Sequence, residues 1–295
     1  MISYGPGHDH SVLRSHRWRT AQNSCAYLLP HLRPGLAVLD VGCGPGSITL
    51  DLAALVGPAG TVVGVDSAAA ALEAAAGAAA SRSTSNVTFA LGDAGRLQYP
   101  DGSFDVVHAH QVLQHVADPV AVLAEMRRVT RPGGLVAARD ADYGPWTWFP
   151  ADPDLDAWLA LYRNLAYRDG AEPDAGRRLL SWARSASGAG FASSAAFVDV
   201  RASASVWCYA SPDDRAWWGG MWADRVVDST FAGRALASGL ATQDDLRRMR
   251  AAWLRWSAAD DGWFAVLHGE VLCRVTGRPE EPARSRPGPD HRAGR

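Results

Sequence analysis

Val38-Leu39-Asp40-Val41-Gly42-Cys43-Gly44-Pro45-Gly46 is the stretch on which the reading of this chain turns. A short apolar run leads into glycine at every second position and then into Ser47–Val56, a segment of helical pattern. Glycine adopts positive φ at little cost and lets the main chain approach a ligand where a Cβ would clash. A buried strand feeding such a turn and then a helix begins an open α/β sheet. Sheets of this kind bind ligands beyond the carboxyl ends of their strands, where the strand order reverses. Spacing narrows the ligand further. A dinucleotide turn, G-x-G-x-x-G, would put its third glycine at position 47, which is Ser47; here the glycines stand at 42, 44 and 46. A tight strand-to-helix turn that binds nothing is the competing interpretation of these residues alone.

The same alternation continues outward. Thr61–Val65 reads as a strand and Ala68–Ala80 as an alanine-rich helix; Asn86–Leu91 and Phe104–Ala109 read as strands. Asp118–Val129 has helical spacing and stops at Arg131-Pro132-Gly133-Gly134, after which Leu135–Arg139 is a fifth strand. Strands alternating with helices imply a parallel sheet covered on both faces. Upstream, residues 11–33 are predicted helical, with Val12, Ala21, Cys25, Leu28 and Leu29 on one face. Beyond Ala141 the texture changes: 11 of the 12 tryptophans follow Tyr143. Two helical blocks (154–189 and 213–258) and two strand-like runs (196–209 and 263–276) are predicted there, as a cap and as the last, partly antiparallel strands. The organisation expected is a closing segment over 1–34, a ligand-binding core over 35–145, a Trp-rich cap with the last strands over 146–276, and a disordered tail over 277–295. There is no internal repeat.

Composition excludes several chemistries. All 29 basic residues are arginine, so no lysine is present for a Schiff base, a pyridoxal-phosphate linkage or a P-loop. With a net charge of −2 there is no basic face for a phosphate backbone, and nucleic acid is not an expected partner. Cys25, Cys43, Cys208 and Cys273 have neither metal-knuckle nor redox spacing. No apolar run of membrane length is present, and a cytoplasmic protein without membrane contacts is expected.

The glycine segment, as Asp40-Val41-Gly42-Cys43-Gly44-Pro45-Gly46, resembles the first motif of the class I S-adenosylmethionine-dependent methyltransferases. Later motifs of that family follow in order: Val63-Gly64-Val65-Asp66, Gly92-Asp93-Ala94, Phe104-Asp105-Val106-Val107 and Arg131-Pro132-Gly133-Gly134. The resemblance covers roughly residues 35–140 and is greatest to the ubiquinone/menaquinone-biosynthesis-like group. It implies a doubly wound, mostly parallel seven-stranded Rossmann-like sheet with a helical cap. The implied cofactor is S-adenosyl-L-methionine (product S-adenosyl-L-homocysteine), and the implied acceptor is a small aromatic or hydrophobic molecule, of secondary metabolism.

Carried over residue by residue, the resemblance assigns the cofactor to the main chain at Gly42, Cys43, Gly44 and Gly46. Asp66, with Ser67, takes the ribose hydroxyls, and Asp93 and Ala94 take the adenine. Asp40 lies beneath the loop, and Ala109, His110 and Gln111 line the methionine end. Arg19 is expected to pair with the cofactor carboxylate and Tyr4 to cover the sulfonium. His115 is the candidate general base, since a neutral imidazole titrates near 6.5, and Asp140 is the second catalytic candidate. Trp146, Trp148, Trp217, Trp218 and Trp222 are the candidate substrate walls, and Trp217-Trp218-Gly219-Gly220 a candidate lid hinge. Each residue also has a plain structural role open to it: a helix cap at Asp66, a turn at Asp93, a loop cap at Asp140, packing at His115 and the tryptophans, a solvated face at Arg19. No metal is expected. A non-methylating binder of the same cofactor (a cyclase or a regulatory protein), a nicotinamide oxidoreductase and a protein or RNA methyltransferase are the competing classes. A homodimer is compatible with the sequence.

Overall fold

The computed structural model describes residues 18–187 and 196–276. Tyr4, most of the first half of the helix expected over 11–33, the end of the 154–189 block and the tail from Gly277 lie outside them.

Eight strands form one sheet: β1 Ala37–Val41, β2 Thr61–Asp66, β3 Val87–Leu91, β4 Phe104–His110, β5 Thr130–Ala141, β6 Thr147–Phe149, β7 Phe197–Tyr209 and β8 Trp263–Val275. The order is β3-β2-β1-β4-β5-β8-β6, with β7 paired along the other edge of β8. The first five strands are parallel, whereas β8 runs antiparallel to β5, β6 and β7. The strand order reverses between β1 and β4, which is where such a sheet opens its ligand crevice. The five parallel strands and the final antiparallel pair, β7 and β8, are as the sequence implies; the eighth strand is the three-residue β6, too short to signal itself.

Helix starts follow the caps. Asp118 accepts from the Ala121 N–H ahead of α4 (Pro119–Val129), and Asp152 accepts from Asp154 ahead of α5 (Pro153–Arg168). Ser211 does the same for α7 (Pro212–Val227), each time with proline in the first turn. Between these, α2 is Ser47–Val56, α3 is Ala69–Ser81 and α6 is Leu179–Ala186. The last two are α8 (Thr230–Ala237) and α9 (Gln243–Ala258), the latter opened by a Thr242/Asp245 capping box.

The N-terminal expectation needs correcting. In place of a continuous helix there is a single turn, α1 (Ala21–Ser24), and then a 3-10 turn at Leu29–His31. The cause is local: Thr20 and Asn23 form a capping box that starts a helix at Ala21, Cys25 departs from helical angles, and Pro30 has no N–H to continue one. The 154–189 block also breaks, after Arg168, where Gly170 has φ +75.

Three apolar clusters hold the layers. One packs α1, α2 and one sheet face around Leu28, Val38, Leu52 and Ala137. A second packs α4 and α6 on the opposite face around Leu123, Met126, Val136 and Leu179. The third is the cap, where Trp158, Trp222 and Trp253 are fully buried and Trp158 meets the stacked pair Trp222 and Trp253 edge to face.

Candidate active site

The turn after β1 is built on main-chain geometry. Gly42, Gly44 and Gly46 have φ of +68, +53 and +78, a region that other residues enter only under strain. A Cβ on Gly42 would overlap the Val112 side chain, so the approach of the two loops also depends on that glycine. Beneath the turn, the buried Asp40 accepts from Thr49 Oγ1 at 2.6 Å and lies 2.8 Å from His108 Nδ1. Both carboxylate oxygens are thus engaged in tying β1 to α2 and β4.

Asp66 ends β2, one strand over. Its Oδ2 accepts from the Gly44 N–H at 2.8 Å and its Oδ1 from the Ala68 N–H at 2.9 Å. The carboxylate therefore fixes the glycine turn and the approach to α3 at once, and is half-buried at the rim with the exposed Ser67 beside it. Asp93, exposed after β3, accepts from the Gly95 N–H, with Ala94 half-buried next to it. Glycine amides and two carboxylates thus line the carboxyl ends of β1, β2 and β3. These carboxylate acceptors fit a nucleoside whose hydroxyls and amino group donate, and they disfavour a phosphate. S-adenosylmethionine fits them.

Ala109 and His110 are buried at the end of β4, and Gln111 follows with φ +54, a left-handed conformation that costs a non-glycine residue on the order of 1 kcal/mol or more. An ordered chain of donors holds it. Arg19 Nη2 donates to Gln111 Oε1 at 2.6 Å; because arginine only donates, this fixes which way the amide points. Gln111 Nε2 then donates to His268 Nε2 at 2.9 Å, and His268 Nδ1 donates to the Val266 carbonyl at 3.1 Å. Burial, with the charge of Arg139, pushes the His268 imidazole well below its usual range and keeps it neutral, as this chain requires. His110 is pushed down in the same way, by burial first and then by Arg19.

His115 closes the 3-10 turn Leu113–His115, half-buried, with Nε2 accepting from Gln114 Nε2 at 2.8 Å. Burial and then the Arg19 charge pull its pKa down to about 4, so it is neutral at pH 7 yet a weak proton acceptor. Asp140 is fully buried below that turn and accepts the Gln114 N–H at 3.0 Å. Burial raises its pKa to about 7, against the opposing pull of the backbone N–H groups of Gln114 and Leu113. The folded state therefore favours the protonated acid. Its contribution to stability is complete below about pH 4 and is lost as pH rises to about 7. Asp140→Asn keeps an acceptor and cannot ionise, so the difference in unfolding free energy between variant and wild type should grow in the variant's favour from pH 4 to 7. Denaturant melts at pH 4, 5.5 and 7 would reveal a constant difference if Asp140 is ionised throughout.

A recess opens next to Gln111, lined by Trp18, Arg19, Tyr143, Trp146, Trp207, Tyr209, Trp217, Trp218, Trp222, Arg225 and Val266 as well as Gln111 itself. It is shallow and partly open to solvent. Trp18 stacks on Trp217 at 5.2 Å and meets Trp207 edge-on at 5.1 Å, which brings the N-terminal segment over the opening. Trp207 Nε1 donates to the Asn23 carbonyl. Four of the five tryptophans expected as substrate walls are here. Trp148 is not: it stacks on Phe264 at 5.4 Å, away from the recess. His115 and Asp140 do not line it either. Residues the sequence did not single out are Trp18, Tyr143, Trp207, Tyr209, Arg225 and His268; only Trp207 and Tyr209 left a signal, as alternate positions on one face of β7. Among the described residues no cluster of metal ligands forms, and no helix is long and apolar enough to cross a membrane.

Comparison with known proteins agrees with this frame. Residues 32–172 match the family model of a methyltransferase domain. An uncharacterized methyltransferase of Schizosaccharomyces pombe is 34% identical over 281 residues, spanning 92% of this chain and 96% of that protein. Shorter matches are to the nocamycin O-methyltransferase of Saccharothrix syringae (44% identical; 48% of this chain, 49% of that one) and a demethylmenaquinone methyltransferase of Staphylococcus aureus (42%; 44% and 51%). The likeness to the menaquinone group is thus confined to part of the chain. The crystal structure of YcgJ from Bacillus subtilis superposes with a TM-score of 0.54 at 18% identity, over 88% of this chain and 100% of that one. The fold and the nucleoside-type site define a Rossmann-like enzyme. The chain belongs to the class I S-adenosylmethionine-dependent methyltransferases.

Proposed function

We propose that this enzyme methylates a small planar aromatic or hydrophobic molecule held in the tryptophan-lined recess. The observation that carries the reading is the wall of aromatic side chains abutting Gln111, at the end of β4 beside the glycine turn. Aromatic walls supply large apolar contact with few rotors to order, as a planar guest requires. The nocamycin and demethylmenaquinone enzymes are named for small-molecule acceptors, which favours the same class here.

Asp66 and Asp93 would hold the nucleoside of the cofactor, the glycine turn its backbone-facing edge, and Arg19 with His110 and Gln111 its amino-acid end. S-adenosylmethionine supplies an electrophilic methyl group on a sulfonium. What the chain adds is alignment and exclusion of water, effects worth up to roughly 7–11 kcal/mol when two reactants are held in near-attack geometry. Trp18 and Arg19 contribute by closing the recess and fixing the strained Gln111. His115 and Asp140 stabilise the turn after β4, with Asp140 as a positioning residue beneath it.

The test is the fate of a labelled methyl group supplied as S-adenosylmethionine to cell extract with the purified enzyme. Label should enter a small, solvent-extractable fraction. Trp218→Ala should cut that transfer by roughly tenfold or more, in proportion to a lost aromatic anchor of about 1.4 kcal/mol or above. Affinity for S-adenosylhomocysteine should not change, and Trp148→Leu should leave both readouts alone. Label recovered in protein or RNA would overturn the proposal.

A further inference from the structure

The recess assigned above to the acceptor is built from hydrogen-bond donors. Arg19 and Arg225 present guanidinium groups, which donate and never accept. Each lies over an aromatic ring, Arg225 at 4.6 Å from the Trp222 centroid and Arg19 at 5.9 Å from that of Trp207. Trp146, Trp218 and Trp222 carry indole N–H groups, again donors only, and all three are buried with no hydrogen-bond partner; the Tyr209 hydroxyl is in the same state. The one amide oxygen, on Gln111, is taken by Arg19. Among the described lining residues there is no Asp, Glu or His.

Each buried unpaired donor costs about 1–3 kcal/mol; the Trp158 and Trp253 indoles bear that cost inside the core, whereas for the three that line the recess a guest with acceptor atoms could offset it. An amine or quaternary ammonium would meet the guanidinium of Arg225 and, apart from the tyrosine hydroxyls, no side-chain acceptor left over, although aromatic walls alone would suit it. A pure hydrocarbon would leave the donors unpaired. An anionic oxygen on a flat ring system meets both requirements.

We infer that the methyl acceptor is a planar oxygen acid (a carboxylate, phenolate or enolate) that enters the recess as its anion and is methylated on oxygen without a protein base. The inference rests on placing the acceptor in this recess. The step balances: a lone pair of the anionic oxygen forms the new O–CH3 bond, the electrons of the S–CH3 bond stay on sulfur, and the acceptor's negative charge cancels the sulfonium's positive one. No proton is released, so none need be taken up. This accounts for a site in which His115 and Asp140 both stand apart from the recess.

The test uses the full chain saturated with S-adenosylhomocysteine and three probes of one shape, 1-naphthoate, 1-naphthamide and 1-naphthylmethylammonium, titrated by calorimetry. Naphthoate should bind roughly tenfold or more tighter than the amide, the ratio expected when one charge-assisted hydrogen bond of about 1.5 kcal/mol or above is gained. The ammonium should bind weakest. Arg225→Met should bring naphthoate close to the amide without changing the amide's own affinity. Arg225→Gln, which keeps the size and a donor, serves if the first variant melts early. Amide or ammonium binding as tight as naphthoate overturns the acid assignment while leaving the recess as the acceptor site. Absence of binding by all three overturns the recess itself as the acceptor site, and the acid assignment with it.

Discussion

Asp66→Ala is expected to lower affinity for S-adenosylhomocysteine by roughly 100-fold or more while the protein stays folded. Two effects combine. In the proposed site the carboxylate would accept the ribose hydroxyls, and hydrogen bonds to a charged acceptor contribute about 1.5–3 kcal/mol each. It also accepts from the Gly44 and Ala68 N–H groups, at 2.8 Å and 2.9 Å. Losing it frees the glycine turn that the cofactor would lie against. Asp66→Asn should be intermediate, since the amide keeps one acceptor but turns a donor toward one of the two backbone N–H groups. Calorimetry with thermal melts separates binding from folding. Affinity within about threefold of wild type would remove Asp66 from the cofactor site and leave it a loop tether.

Gly269→Ala is expected to be the most damaging single substitution to the fold. A Cβ at this position of β8 would land on the Gly176 carbonyl, and Gly176 in turn lies close to the Gly269 N–H and the Asp140 carbonyl. The obstacle is main chain, so no side chain can rotate away, and the cost should exceed the ordinary overpacking range of about 1–3 kcal/mol. For a domain of this size that corresponds to a fall in Tm of roughly 6 °C or more. Because Gly269 sits between His268 and Glu270, the chain from Arg19 through Gln111 should loosen as well. Gly233→Ala is the matched control: nothing lies within 4 Å of its Cβ position in α8, and alanine there should raise stability by about 0.5–1 kcal/mol. Equal melting temperatures for the two variants would refute the close approach of β8 to the 3-10 turn at Ala175–Arg178.

Much of the core was legible because its signals are local. A parallel strand buried on both faces must be largely apolar, as Val38, Leu39 and Val41 are with Asp40 tolerated because both its oxygens are engaged, and a turn with successive positive φ strongly favours glycine. The N-terminal helix misled because residues 18–32 owe their burial to the sheet: Ala21, Cys25 and Leu28 repeat at helical spacing, yet a capping box and Pro30 divide the segment. Asp140 lies off the recess because of parity. Register pairs His110 with Arg139, so Arg139 shares the face of His110, and its neighbour Asp140 turns to the opposite side below the turn at Leu113–His115. Side-chain alternation is readable in a strand, but which parity meets the site depends on the register with its partner strand.

The sequence by itself determined the alternation of strands and helices through β5, the glycine bend and the carboxylates that end β2 and follow β3, since each is imposed by local periodicity, by backbone angles or by a position at a strand end. Only the tertiary structure decided which tryptophans line the recess. Trp158 and Trp253 belong to the core alone, whereas Trp146, Trp218 and Trp222 belong to the same buried cluster and also line the recess. An indole's neighbours come from β7, β8, α7 and the N-terminal segment, far apart along the chain, so nothing local distinguishes a ring that packs from a ring that binds.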